Sequence, residues 1–206
     1  MGIVGGTGYT GSELLRLLLQ HPKVDVVAVT SRNQVGKFIH KTHPNLRGFT
    51  SLKYISPDDL PKTDVLFLGL PHGAVASRID EYAGTTNLLI DLSSDFRLRN
   101  PQDYVQYYQH NHERPDLLND FVYGMPELYR KEIKNSNRIA VPGCTATGAI
   151  LPLKPIVDAF NVSQVVIDAK VGSSASGAQS SAGTHHPERQ GVVRSFKPSG
   201  HRHIAE

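Results

Sequence analysis

Apolar residues along this chain come in short, near-continuous runs separated by stretches with helical spacing. Ile3 and Val4 form a brief run that stops at a glycine cluster. From Tyr9 to Gln20, Leu14, Leu15, Leu18 and Leu19 make a broad apolar face, which predicts a helix. Val24 to Thr30 reads as a strand, and Val65 to Leu70 and Leu88 to Leu92 are further apolar runs of the kind buried on both faces, as parallel strands are. A helical stretch from His72 to Tyr82 separates two of them. This alternation predicts right-handed β-α-β crossovers in a doubly wound sheet. Asn100 to Asn137 is polar and rich in Tyr, Pro and charge, and predicts short helices and loops. Arg138 to Val141 reads as a last strand. After Cys144 comes an apolar helical stretch interrupted by Pro152 and Pro155, and then Gln164 to Val171 as one more strand. Gly172 to Gly183 has the Ser/Gly/Ala composition of a linker. The basic residues and histidines that follow at once argue that it is more than that.

Composition narrows the class. The 206 residues are 39% hydrophobic and 20% charged, enough for a core and too little charge for a disordered chain. A single Cys excludes an internal disulfide framework. No apolar stretch approaches a membrane span and no signal-like segment opens the chain, so a soluble, cytoplasmic protein is expected. Net charge is +3, and all of it lies in the tail: from Lys170 onward there are five Lys/Arg against two Asp/Glu. That asymmetry fits either an ordinary basic surface or a segment that meets an anion. Nucleic acid is not the expected anion, because no basic run or basic helix is present. The abrupt start and the end soon after a dense polar cluster read as a fragment of a longer protein.

The glycine cluster carries the first candidate chemistry. Gly5, Thr7, Gly8, Tyr9, Thr10 and Gly11 lie in a Gly-x-x-Gly-x-x-Gly turn between a strand and an amphipathic helix. Such a turn lets the backbone approach a pyrophosphate at a helix N-terminus. A plain strand-helix turn is the alternative. The second strand ends Thr30-Ser31-Arg32, with no carboxylate for a ribose 2′-hydroxyl. Ser31 and Arg32 instead suit a 2′-phosphate, which points to NADP(H).

Cys144 lies in Val141-Pro142-Gly143-Cys144-Thr145, where a strand ends and a helix begins. A thiol at a helix N-terminus meets a positive macrodipole, which favours the nucleophilic thiolate. A buried, inert Cys is the alternative. A nucleophilic Cys needs a proton partner, and Gly200-His201-Arg202-His203 offers two imidazoles. The same histidines could bind metal, but no third ligand has convincing spacing, so no metal is expected. Cofactor, thiolate and imidazole together describe one reaction: thiolate attack on an activated acyl group, reduction of the thioester by hydride, and collapse to an aldehyde.

These motifs, together with Leu70-Pro71-His72-Gly73 and Asp91-Leu92-Ser93-Ser94-Asp95-Phe96-Arg97, resemble the N-acetyl-γ-glutamyl-phosphate reductase family, a relative of aspartate-semialdehyde dehydrogenase. His43 to Gly48, Ser173 to Gly177, His185 to Arg189 and Lys197 to Gly200 are similar to the branch that serves lysine biosynthesis. Enzymes of that branch reduce an aminoadipyl or glutamyl phosphate tethered to a small acidic carrier protein. The resemblance implies a Rossmann NADP-binding domain over 1–143 and the start of an α+β catalytic domain, semialdehyde-dehydrogenase-like, over 144–206. It implies Cys144 as the acyl-accepting nucleophile and His201, ahead of His203, as acid/base. It places Ser176, Gly177 and Ala178 beside the nicotinamide and Leu70, Pro71 and His72 along the cofactor. It makes Arg97, Lys197 and Arg202 candidates for the phosphate and carboxylate of the substrate. A homo-oligomer is expected of the whole enzyme, with neither membrane nor nucleic acid as partner. The competing readings are a reductase of free N-acetyl-glutamyl phosphate in arginine biosynthesis and a non-catalytic dinucleotide-binding module.

Overall fold

The computed structural model describes all 206 residues. Six strands, β1 (Gly2–Val4), β2 (Ala28–Val29), β3 (Thr63–Leu68), β4 (Thr86–Asp91), β5 (Val122–Tyr123) and β6 (Arg138–Ala140), form one sheet in the order β2-β1-β3-β4-β6-β5. Every pairing is parallel. The helices are α1 (Tyr9–Leu18), α2 (Ile39–Thr42), α3 (Ile79–Ala83), α4 (Pro101–Asp103), α5 (Pro126–Lys134), α6 (Cys144–Ala159) and α7 (His186–Arg189).

Alternation along the strands divides the core between the two faces of the sheet, since successive side chains point to opposite sides. Val4, Leu66, Leu68, Leu89 and Ala140 pack with Ile79, Tyr82, Phe96, Tyr104 and Phe121 on one face. Ile3 and Val29 pack with Leu15, Ile39, Leu46 and Tyr54 on the other. The strand order reverses direction between β1 and β3, and in sheets of this kind the crevice beyond the strand C-termini at such a point is where ligands bind. The glycine turn leaves β1 there, and Gly69 to His72 leave β3 beside it.

Three expected elements differ. The strand expected over Val24–Thr30 is reduced to Ala28–Val29, because its partner β1 pairs through Gly2 and Ile3 only. The helix expected over His72–Tyr82 is helical only from Ala76, as a 3₁₀ turn (Ala76–Arg78) leading into α3. Gly73 holds a left-handed φ of +83°, and the Asp95 carboxylate takes the N–H groups of Gly73, Val75 and Ala76. Gln164–Val171 is not a strand. No neighbouring strand takes its peptide groups, and Val165, Val166, Ile167 and Val171 are exposed. The two-residue strand β5 within Asn100–Asn137 is too short to show in a periodicity.

Candidate functional site

The glycine turn is packed where it touches the sheet and open where a ligand would sit. Gly5 has a φ of +80°, and a Cβ there would lie 2.4 Å from the Gly69 carbonyl oxygen; one on Gly11 would lie 2.7 Å from the Gly6 backbone. Gly8, the N-cap of α1, faces open space instead. No side chain caps α1, so its first N–H groups are available. This is a cradle that fits a pyrophosphate. Thr7 is half-buried, whereas Tyr9 and Thr10 are exposed. At the end of β2, Ser31 is buried and its Oγ accepts from the N–H groups of Asn33 and Gln34, while Arg32 next to it is exposed.

Cys144 is the first residue of α6, with Gly143 as N-cap, and its thiol is exposed. No side chain caps α6 either. Tyr9, the first residue of α1, lines the same cleft as Cys144, a space of about 620 Å³ completed by Thr145, Gly148, the stretch from Ile167 to Gly172, and Ser174 with Ala175. The N-termini of α1 and α6 therefore converge on one cavity. Ser174 and Ala175 reach it from a 3₁₀ turn (Ser173–Ser176), whereas Ser176, Gly177 and Ala178 follow just outside and are exposed.

The tail returns to this helix start. His203 bonds through Nδ1 to the Thr145 hydroxyl, and its Nε2 lies 3.9 Å from Glu206 Oε1. His201 caps the final 3₁₀ turn (Arg202–Ala205), its Nδ1 accepting from the His203 N–H, and the two imidazoles meet edge-on at 4.7 Å. The structure thus seats His203 directly against the residue after Cys144, with His201 behind it. Burial lowers the His203 pKa to about 4; nearby Glu206 opposes this, and His201, Arg97 and Arg202 reinforce it. His201 is lowered as well, by burial and then by Arg202 and Lys197. Both rings are held neutral near pH 7, the state in which an imidazole can accept a proton.

Glu206, absent from the sequence-based candidates, has no side-chain exposure. Its Oε2 accepts from the Gly143 N–H and from the Tyr123 hydroxyl, both at 2.8 Å. Arg97 lies 3.5 Å from Oε1. Arg97 itself is buried; its Nε donates to the Val141 carbonyl at 2.6 Å and its Nη2 to Leu92 at 2.9 Å. It therefore ties the end of β4 to the turn that carries Cys144. Lys197 and Arg202 stand on the tail, and Lys197 has a positive φ of 45°. Arg202 is close enough to His72 to help depress its pKa.

The segment after β4 organises the other wall. Asp91 is fully buried and accepts from the Ser93 N–H and hydroxyl at 2.8 Å; burial raises its pKa to about 7. Asp95 fixes the loop after Leu70 and Pro71 through the three N–H groups already described. His72 Nδ1 accepts from the Ser94 N–H at 3.1 Å. Its pKa falls to about 4, first through burial and then through Arg202 and Arg97, although part of the side chain stays open to solvent. The sequence signal for this network was a run of carboxylates, hydroxyls and one Arg straight after a buried strand. No group of three or more His, Cys, Asp or Glu side chains is arranged so that it could hold a metal ion, and no helix is long and apolar enough to cross a membrane.

Comparison with known proteins gives this arrangement a context. Residues 1–136 match the family model described as semialdehyde dehydrogenase, NAD binding domain, and residues 144–206 match semialdehyde dehydrogenase, dimerisation domain. A Thermomicrobium roseum protein named putative [LysW]-L-2-aminoadipate 6-phosphate reductase is 52% identical across 100% of this chain and 59% of its own length. The [LysW]-L-2-aminoadipate/[LysW]-L-glutamate phosphate reductase of Saccharolobus solfataricus is 47% identical across 100% of this chain and 60% of its own. The chain thus spans about 60% of the length of the curated relatives it matches. Among solved structures, aspartate semialdehyde dehydrogenase II from Vibrio cholerae superposes on 77% of the chain and 42% of that protein with a TM-score of 0.54 at 21% identity, a likeness of fold.

Proposed function

Because this chain belongs to the semialdehyde dehydrogenase family and carries its nicotinamide-dinucleotide-binding domain, we propose that it comes from an NADPH-dependent reductase of an acyl phosphate. The substrate is an aminoadipyl or glutamyl phosphate tethered to a small acidic carrier protein, and the product is the semialdehyde. The observation that carries this reading is the cleft shared by Tyr9 and Cys144, which sets an exposed thiol beside the start of the helix that follows the glycine turn. The carrier-bound substrate rests on relatives named for it at 44% to 52% identity, and on the basic tail, which suits an acidic carrier. We divide the protein into a dinucleotide domain, 1–143, and the first part of the catalytic domain, 144–206; the whole enzyme is a cytoplasmic homo-oligomer.

In this mechanism the glycine turn and the uncapped start of α1 would hold the pyrophosphate, and Ser31 and Arg32 the 2′-phosphate. Leu70, Pro71 and His72 would border the cofactor after β3, and Ser176, Gly177 and Ala178, which follow the cleft-lining Ser174 and Ala175, would serve its nicotinamide end. Cys144 Sγ bonds to the acyl carbon as the bond from that carbon to the phosphate oxygen breaks, which releases phosphate and leaves a thioester. When bound, the cofactor supplies the hydride that reduces the acyl carbon. His201 would take the Cys144 thiol proton as Sγ attacks; the oxyanion that hydride addition leaves on the substrate re-forms its C=O as the carbon–sulfur bond breaks, releasing the aldehyde, and His201 returns the proton to Cys144. His203, neutral and bonded to Thr145, orients the His201 ring packed edge-on against it. Lys197 and Arg202 attract the anionic groups of the substrate, and Arg97 offers Nη1, the loosest of its contacts.

Intact mass after the full chain is mixed with the acyl phosphate, without NADPH, tests the reading. An adduct of acyl mass on wild type and none on Cys144→Ser is the expected result. An unchanged wild-type mass, with cofactor binding intact, would leave only a dinucleotide-binding module. Faster acylation by free N-acetyl-glutamyl phosphate than by the carrier-linked substrate would move the enzyme to arginine biosynthesis.

A further inference from the structure

The stretch from His43 to Gly48 takes no part in the mechanism above, yet His43 reaches the glycine turn. Its side chain is buried, and Nε2 donates to the Gly6 carbonyl at 2.7 Å across 37 residues of sequence. The ring is fixed from behind: the His43 N–H closes α2 on the Ile39 carbonyl at 2.9 Å, and the next turn begins with Pro44. The other polar group of Gly6 is also engaged, its N–H donating to the Thr30 carbonyl at 3.2 Å. Gly6 has no room to shift toward the sheet, since a Cβ there would lie 2.2 Å from Val29 Cγ1.

We infer that His43 is a positioning residue of the dinucleotide site, holding the Gly6 carbonyl back so that the turn presents N–H groups to the pyrophosphate. A peptide unit has one face that attracts an anion and one that repels it. In a glycine turn both lie within easy rotation of each other. A donor that captures the carbonyl selects the attractive face before the ligand arrives, which is preorganisation rather than contact. The Gly6 carbonyl is one of the few groups in this turn that a side chain from elsewhere in the chain holds, and His43 is the side chain that holds it. The inference rests on the dinucleotide reading of the turn.

The test compares two ligands on the full chain by calorimetry: NADPH, which has a pyrophosphate, and adenosine 2′-monophosphate, which does not. His43→Met keeps the volume and removes the donor, and His43→Gln places an amide N–H near the position of Nε2. His43→Met is expected to weaken NADPH about tenfold, the size of one lost structural hydrogen bond, while adenosine 2′-monophosphate binds within about twofold of wild type. His43→Gln is expected to recover most of the NADPH affinity. Equal weakening of both ligands, no weakening of either, or a Gln variant no better than Met would each overturn the inference. Wild type that fails to bind NADPH would instead remove the dinucleotide reading and the inference with it.

Discussion

Glu206 Oε2 accepts a hydrogen bond from the backbone N–H of Gly143 at 2.8 Å, joining two residues 63 apart in sequence. The N-cap of the helix that begins with Cys144 is thus held by the tail that carries both imidazoles, so this contact helps set Cys144 and the two histidines relative to one another. A Cβ at Gly143 would lie 2.5 Å from Glu206 Oε1 and 2.6 Å from His203 Nε2. Gly143→Ala is therefore expected to push the tail off. The thioester should form about a hundredfold more slowly in stopped-flow acylation, since a displacement of this order misaligns the reacting groups. Stability in urea should fall by about 1–3 kcal/mol, as for an overpacked site.

Asp95 replaces helix geometry at the start of the segment after β3. Asp95→Ala leaves three N–H groups at Gly73, Val75 and Ala76 without their carboxylate. The expected loss is about 2 kcal/mol of unfolding free energy, read from denaturant titration. Hydrogen exchange at Val75 and Ala76 should accelerate with it. Protection unchanged from wild type would show that the loop holds without the carboxylate.

Arg32 is exposed beside the buried Ser31. Arg32→Ala should raise the KM for NADPH about tenfold and leave the KM for NADH nearly unchanged, because only the former has a 2′-phosphate to lose a charge-assisted bond. Steady-state kinetics with both cofactors measures the ratio directly. An equal change for both would remove Arg32 from the 2′-phosphate site.

Acid should destabilise this fold through its histidines. His72 and His203 have pKa values of about 4 in the folded chain against 6.5 for a free imidazole. Between those limits the unfolded chain binds protons that the folded chain refuses. Stability from these groups is present above pH 6.5 and is lost as pH falls toward 4. Asp91 works in the opposite sense: its pKa of about 7 lets the folded chain keep a proton that the unfolded chain releases, so its contribution is present below 3.8 and is lost as pH rises through 7. In urea titrations from pH 4 to 7, His203→Gln should show a shallower acid loss than wild type and Asp91→Asn a steeper one. Parallel curves would contradict both assignments.

What the sequence disclosed was local. The glycine turn, the apolar runs of β1, β3, β4 and β6, and the helix that opens at Cys144 each have a signature within a few residues, so pattern and structure agree there. Glu206, Asp95 and His43 acquire their roles from partners 63, 22 and 37 residues away. A lone carboxylate or imidazole has no period to betray it. The apolar run at Gln164–Val171 has a strand's composition, but a strand exists only through a neighbour, and none lies beside it here. The resemblance makes Arg97 a candidate for substrate; the carbonyls of Leu92 and Val141 that hold its Nε and Nη2 are invisible in a sequence.

The parallel sheet also sets an order of events during synthesis. β1 pairs Gly2 with Leu66 and Val4 with Leu68. The strand that leads into the glycine turn therefore leaves the ribosome long before the neighbour that covers its inner side. Until β3 emerges, Ile3 and Val4 lack the strand that pairs with them through Phe67 and Leu68. A ribosome stalled before Leu68 would display the glycine turn beside an unpaired edge of β1, open to pairing with other chains until translation resumes.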